Sequence, residues 1–325
     1  MGVTCLVADE NFDAKLEKKM KRYVFLPIPS SKEEQIKYVN QKLKPNIEIT
    51  NEAIELGKML WFDERLSANQ TISCNTCHDL NNYGVDGLQT PYGIGNKINP
   101  YTVNSPTVYN AIFNRLQFWN GRAATLMDQA AEPLLSDYEM GNTKQGVVDT
   151  IKSILGYVEM FNKMAPDKEI TFELIAESLA IFESTLITPS RFDEFLNGDK
   201  NALSKEEKEG FYLFLDYGCA GCHNDRNLGG SMNLFEVMGK YDKRDIGVLQ
   251  KDENGKTKVP TLRNISHTAP YFHNGAVGTL QEAVKTMGEV QLGIKIDELS
   301  ALKIIKFLKT LDGRPKFIAA PVLPK

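Results

Sequence analysis

Two five-residue groups, Cys74-Asn75-Thr76-Cys77-His78 and Cys219-Ala220-Gly221-Cys222-His223, take four of the chain's five cysteines and two of its four histidines. This spacing suits one chemistry above others. The two thiols add to the vinyl groups of a porphyrin, and the imidazole that follows turns under the ring to bind its iron. A dithiol redox pair would not need histidine at the next position twice. A zinc site assembled from both groups would bring six candidate ligands to four places. The expectation is therefore two covalent haem c groups, attached through Cys74 and Cys77 and through Cys219 and Cys222, with His78 and His223 as proximal iron ligands. Cys5 stands apart and is read as an unstructured or tag-derived thiol.

What fills the opposite face of each iron decides between electron transfer and chemistry, because a thioether raises the potential and an open face admits a substrate. Met232 and Met238 follow His223 by only 9 and 15 residues, too soon for the chain to round the ring, whereas Met287, 64 residues on and followed by Gly288, has the reach. In the first half Met127 and Met140 follow His78 by 49 and 62 residues, and spacing alone leaves Met140 open as a ligand. Its neighbour Glu139 allows a second reading, a carboxyl group brought to the distal face as a proton carrier for peroxide cleavage, set against a plain solvated surface acid.

The elements that position these groups read as helices, since strict two-residue alternation is rare and start and stop signals recur. Asn51 to Phe62 follows Thr50 as a cap, and Thr171 opens a segment with Leu174, Ile175, Leu179, Phe182 and Leu186 on one side. Ser204 to Glu207 forms a capping box. A last helix begins near Asp297, presents Leu302, Ile305 and Leu308 inward, and stops at Gly313 and Pro315. Behind each cysteine motif lies a related passage: Pro106-Thr107, Asn110, Phe118-Trp119-Asn120-Gly121 and Leu126, then Pro260-Thr261, Asn264, Phe272-His273-Asn274-Gly275 and Leu280. Such self-similarity marks a duplicated unit, with Trp119 and His273 in equivalent places. The expected fold is all-α, two tandem cytochrome c-like domains with a boundary near 190.

With 325 residues, 42% hydrophobic and 25% charged, the chain has the composition of a folded globular protein and the length of two domains. A net charge of −4 without a basic block argues against nucleic acid as a partner. No apolar run approaches the length of a membrane span. The first nine residues are read as a mature terminus or the stub of a removed leader and tag. Because covalent c-haem assembly takes place outside the cytoplasm, a periplasmic location is expected. The acidic balance points to a donor with a basic face.

The residues that carry the motifs resemble those of the bacterial di-haem cytochrome c peroxidases, from about Ala53 to Asp312. The likeness rests on Trp61-Phe62-Asp63-Glu64-Arg65-Leu66-Ser67, Ile72 to His78, Asn104-Ser105-Pro106-Thr107, Phe118 to Ala123, Thr268 to Gly275 and Met287-Gly288. The resemblance implies a peroxidatic haem in residues 1–190, an electron-accepting haem in residues 191–312 with His223 and Met287 as ligands, and a tail, 313–325, that returns to the first domain. It further implies Trp119 as a bridge between haems and Gln129 with Glu139 as the distal catalytic pair. A calcium ion would be held by Asn104 and the carbonyls of Thr268 and Pro270. Implied partners are hydrogen peroxide and a small c-type cytochrome or cupredoxin; a homodimer is compatible with the sequence. The family commonly has a distal histidine in the loop after the first motif, but here Gly93 or Ile94 stands in its place and no histidine occurs between His78 and His223. The resemblance therefore leaves the usual resting-state block of the first haem without its ligand, and the expectation is an open or water-bound iron and a mobile loop from Gly84 to Asn99. Other readings of the same pattern are a di-haem electron carrier without catalysis and a MauG-like oxidase, against which Met287 speaks because that group has Tyr there.

Overall fold

The computed structural model describes residues 3–242 and 251–325, with side chains from Phe12 onward. The described chain is mostly helical with little sheet: its one sheet pairs two-residue strands, Met232–Asn233 with Thr257–Lys258, antiparallel. Helices begin where the caps predict. Thr50 accepts from the Ala53 N–H, Thr171 from Leu174, Ser204 from Glu207, and Asp297 from Ser300, each satisfying one of the otherwise orphaned first-turn donors. Glu207 completes the box by accepting from the Ser204 N–H at 2.8 Å.

In each half a helix leading to the cysteine motif crosses a later helix at a glycine. Asn51–Phe62 packs on Phe172–Ser184, and a Cβ at Gly57 would lie 2.2 Å from the Ser178 carbonyl oxygen. Lys205–Asp216 packs on Glu298–Leu308, and a Cβ at Gly210 would lie 1.9 Å from the Lys303 carbonyl oxygen. Backbones this close admit only small residues at the crossing. This explains two departures from the sequence reading. The last helix turns Ala301, Ile304, Phe307 and Leu308 inward, leaving Leu302 46% exposed, because the tight crossing prefers Ala301 to a larger side chain. Phe172–Ser184 is buried all round, Glu177 and Glu183 included, since Asn51–Phe62 and Leu126–Leu135 both pack against it.

The duplicated passages share backbone geometry as well as sequence. Asn110 and Asn264 both take the left-handed conformation before a 3₁₀ turn, Phe118 and Phe272 repeat it, and the bridges Gln117–Ala123 and Tyr271–Val277 correspond. Thr125 and Thr279 then cap Leu126–Leu135 and Leu280–Met287. Both asparagine side chains donate to the Thr188 hydroxyl, at 2.9 and 3.0 Å, so the two repeats meet on one residue. Buried Arg263 seals the same region by a bidentate pair with Asp193, at 2.7 and 2.8 Å.

One apolar core runs from Ile28 to Leu186 and another from Phe192 to Leu311. The helix Val3–Met20, which the sequence reading grouped with the first half, packs on Lys205–Asp216, with Leu16 in the second core. Its backbone includes Cys5, whose side chain lies outside the described residues. After Gly313 the tail crosses the first half, where Ile318 exchanges hydrogen bonds with Asn81 and the Pro324 carbonyl accepts from Arg65. Among the described residues no helix is long and apolar enough to cross a membrane.

Candidate functional site: two cysteine–histidine motifs

The first motif opens a one-turn helix, Cys74–Cys77, held by the Ser73 N–H donating to the Thr76 hydroxyl at 3.0 Å. His78 ends it. Its Nδ1 lies 3.3 Å from the Gly84 carbonyl, and burial lowers its pKa, so the ring is neutral with Nε2 as the free nitrogen. Trp61 packs beside the ring at 6.3 Å. Burial pushes the Cys74 and Cys77 thiols up to about 12. Thiols so far from ionising are poor redox nucleophiles and poor zinc ligands.

Glu139 is half-buried and its charge is felt by Cys77, which places it near the first motif. Burial raises its pKa, opposed by a hydrogen bond from Ser136 and the charge of Arg122, while Glu132 adds to the rise. Gln129 lies three residues before Glu132 on Leu126–Leu135. Met140 is 3% exposed inside the first core, its N–H donating to the Pro133 carbonyl and its carbonyl accepting from Ala68. The loop without its histidine docks on this segment. Ile94 N–H donates to the Glu139 carbonyl at 2.8 Å, and the Gly93 backbone lies so close that a Cβ there would be 1.8 Å from the Tyr138 oxygen. The mobile loop of the sequence reading is therefore pinned at its centre, with the Ile94 side chain against the first core.

The second motif is built differently. Cys219–Gly221 forms a 3₁₀ turn after left-handed Gly218, and His223 Nδ1 lies 3.0 Å from the Leu228 carbonyl, again with its pKa lowered by burial. Cys219, Cys222 and His223 line a largely apolar cavity that Met287 also lines, from the end of Leu280–Met287. Met232 sits against Gly121, and Met238 is 64% exposed. Trp119, Asn104, Thr268, Pro270 and His273 line the same cavity. Trp119 Nε1–H donates to the Asn104 carbonyl at 3.1 Å, while the Asn104 N–H donates to the His273 carbonyl at 2.7 Å, so the backbone of one residue joins the two repeat positions. The two rings meet edge to face at 6.4 Å. Burial drops the His273 pKa to about 4, and its buried Nε2 has no partner among the described residues.

The residues suit haem c. Each motif pairs half-buried free thiols with a neutral imidazole already oriented through Nδ1, and the second opens on apolar space with a thioether. Among the described residues no group of three or more His, Cys, Asp or Glu is arranged to hold a metal ion. Two groups escaped the sequence reading. Glu183 and Lys258 are 4% and 6% exposed and act on each other electrostatically across the two halves. A carboxylate directly after the apolar run Leu179 to Phe182 and a lysine directly before Val259-Pro260 were the available signals.

A mostly helical chain with two such motifs defines the class: a c-type cytochrome built around a pair of attachment sites. The sequence profile of the di-haem cytochrome c peroxidases matches residues 51–201. The cytochrome c551 peroxidase of Nitrosomonas europaea is 42% identical over 298 residues, 88% of each chain. That of Pseudomonas aeruginosa is 41% identical over 291 residues, 85% of this chain and 83% of its own. A solved MauG-like protein associated with microbial copper homeostasis shares the fold, with a TM-score of 0.71 at 24% identity over 90% of this chain and 94% of its own. The chain belongs to the di-haem cytochrome c peroxidase family, and it is a haem-containing oxidoreductase of the peroxidase type.

Proposed function

We propose that the protein reduces hydrogen peroxide to two waters, using two protons and two electrons that arrive singly from a small c-type cytochrome or cupredoxin. His78 would hold iron in the first half, and His223 with Met287 would hold it in the second. The two haem groups would supply the iron that carries electrons and cleaves the O–O bond. Electrons enter the second half and reach the first by way of Trp119. In support, Trp119 lines the cavity of the second motif although it belongs to the first repeat.

At the peroxide the protein's own task is proton handling. Glu139 carries a proton from the near to the far oxygen, so that the departing group leaves as water, and the Gln129 amide holds the peroxide by a hydrogen bond. The observation that carries this reading is Glu139 itself: a half-buried carboxyl group, made more basic by burial and close enough to Cys77 for its charge to be felt. Core placement of Met140, with both backbone groups bonded, disfavours the carrier reading that needs it as a ligand. Calcium would be held by Asn104 with the Thr268 and Pro270 carbonyls. Supporting this, the three residues line one cavity, and the Asn104 Nδ2 is engaged by the Leu88 carbonyl at 2.8 Å, which leaves Oδ1 as its open ligand atom. A periplasmic location follows from the covalent haems.

The test is steady-state oxidation of a reduced small cytochrome on addition of peroxide, with haem staining of the denatured chain as the companion measurement. Peroxide-dependent oxidation by a chain that keeps its haem colour is expected. Two stained haems without such turnover would overturn the reading in favour of a carrier.

A further inference from the structure

Among the residues that line the cavity of the second motif, Lys258 alone is a lysine, arginine, aspartate or glutamate. It is 6% exposed, and its backbone is fixed at both ends of the argument: its N–H donates to the Trp119 carbonyl at 2.7 Å, and it pairs in register with Met232. Among the described residues its ammonium makes no hydrogen bond and no ion pair. Glu183 acts on it only at longer range, from the first half, where the same carboxyl group acts on Cys74. The remaining polar lining is neutral, His273 included. An unpaired ammonium in an apolar cavity is costly, so the site calls for an anion in that space.

We propose that Lys258 is the counter-charge for the carboxylate edge of the haem at the second motif and thereby a positioning residue that sets the reduction potential of that haem. The proposal rests on the reading that the second motif holds a haem. Haem c keeps two propionate side chains after its vinyl groups are used, and these are anions of the required kind. A fixed cation beside the ring favours the ferrous form, which carries one positive charge less than the ferric form. Burial lowers the lysine's pKa and Glu183 opposes that fall, so the second half keeps its cation through neutral pH. Burial raises the Glu183 pKa to about 8, so that carboxyl group is mostly protonated at neutral pH and Lys258 is the charge that favours a higher potential in the second half than in the first.

Spectroelectrochemical titration of the full-length holoprotein tests this, with Lys258→Met, Lys258→Gln and Lys258→Arg compared below the pH at which the lysine deprotonates. In the Met and Gln variants the ferrous-to-ferric ratio of the second haem should fall about tenfold at a given applied potential, which is about 59 mV for one electron. The first haem should move less, and Lys258→Arg should stay within about threefold of the parent because it keeps the charge. Equal shifts in the Arg and Met variants, a larger shift at the first haem, or no shift in any variant would overturn the proposal. If the Met and Gln chains fail to retain the second haem while the Arg chain retains it, the counter-charge is supported; loss in all three assigns Lys258 to packing and overturns it. Absence of a second stained haem in the unsubstituted protein would instead strike the functional reading on which the proposal rests.

Discussion

The two halves of this chain use one backbone plan and finish it in opposite ways. Asn110 and Asn264 bond the same Thr188, Gly57 and Gly210 bring their helix pairs together, and His78 and His223 are each oriented by a carbonyl. Past that plan the first half brings a half-buried acid, Glu139, to the region of Cys77, and packs the Gly93 backbone against Tyr138. The second half presents the Met287 thioether and one cation to an otherwise uncharged cavity. On the proposed function, the repeated framework carries a haem in each half and a few positions outside it separate chemistry from electron storage. Trp119 and His273 show the same division inside the repeat, since equivalent positions hold an indole that donates and an imidazole that burial keeps neutral.

The comparison breaks most visibly if the acid is removed from the first half. Glu139→Gln should lower peroxide turnover by roughly 10²- to 10⁴-fold, the scale of a positioned acid–base group, while the potential of the second haem stays unchanged. Burial raises the Glu139 pKa, so its protonated form persists to higher pH than that of a free glutamate. Because Glu139 must start as the carboxylate to take the proton from the near oxygen, turnover should fall as pH drops through the raised pKa, and a steady-state pH profile should lose that limb in the Gln variant. Full activity in the variant would make Glu139 a surface carboxylate.

Met287→His tests the second half. Replacing a soft thioether, which favours ferrous iron, should lower the ferrous-to-ferric ratio of that haem at least about tenfold at fixed applied potential. A redox titration that does not change would move the role to another residue. The connection between halves should respond more mildly. Trp119→Phe removes the hydrogen bond to the Asn104 carbonyl, worth about 1 kcal/mol, and should slow arrival of an electron at the first haem by about fivefold in single-turnover measurements, with peroxide binding unaffected.

How much of this was legible in the sequence follows from the range of the forces involved. The cysteine motifs, the caps at Thr50, Thr171, Ser204 and Asp297, and the duplicated Asn-Gly passages are local signals, and the helices and repeat geometry follow them. The inward face of the last helix was misread because hydrophobicity favours Leu302, whereas close approach at Gly210 favours Ala301. Long-range convergence was invisible: nothing near Thr188 in sequence announces that two asparagines, 78 and 76 residues away, will share its hydroxyl. For the same reason the Glu183–Lys258 relation across the halves appears only when the fold brings them together. The loop at Gly93 was read through the histidine it lacks, and its docking on Tyr138 and Glu139 depends on backbone contacts that composition does not encode.

That loop supplies the mildest and most specific test. Gly93 has φ −84 and ψ −169, an extended conformation open to any residue, so its constraint is space and not backbone strain. A methyl group there meets the Tyr138 carbonyl at 1.8 Å and the Glu139 nitrogen at 2.8 Å, both backbone atoms that cannot swing aside. Gly93→Ala should therefore destabilise the protein by about 1–3 kcal/mol, the usual cost of overpacking, and shift the Glu139 carbonyl that holds the Ile94 N–H. Thermal unfolding reads the first effect, and a decline in turnover smaller than that of Glu139→Gln reads the second. Gly93→His takes the comparison further, because any side chain there meets the same Tyr138 backbone. The untreated ferric parent should give a high-spin electron paramagnetic resonance signal from one haem, since residues 79 to 266 hold no histidine but His223, which belongs to the second motif. The His variant should keep that signal as long as the backbone contact at Tyr138 holds. Conversion to two low-spin signals in the variant would mean that the contact yields easily and that the missing imidazole alone kept the first half open; two low-spin signals in the parent would mean that another side chain already closes it.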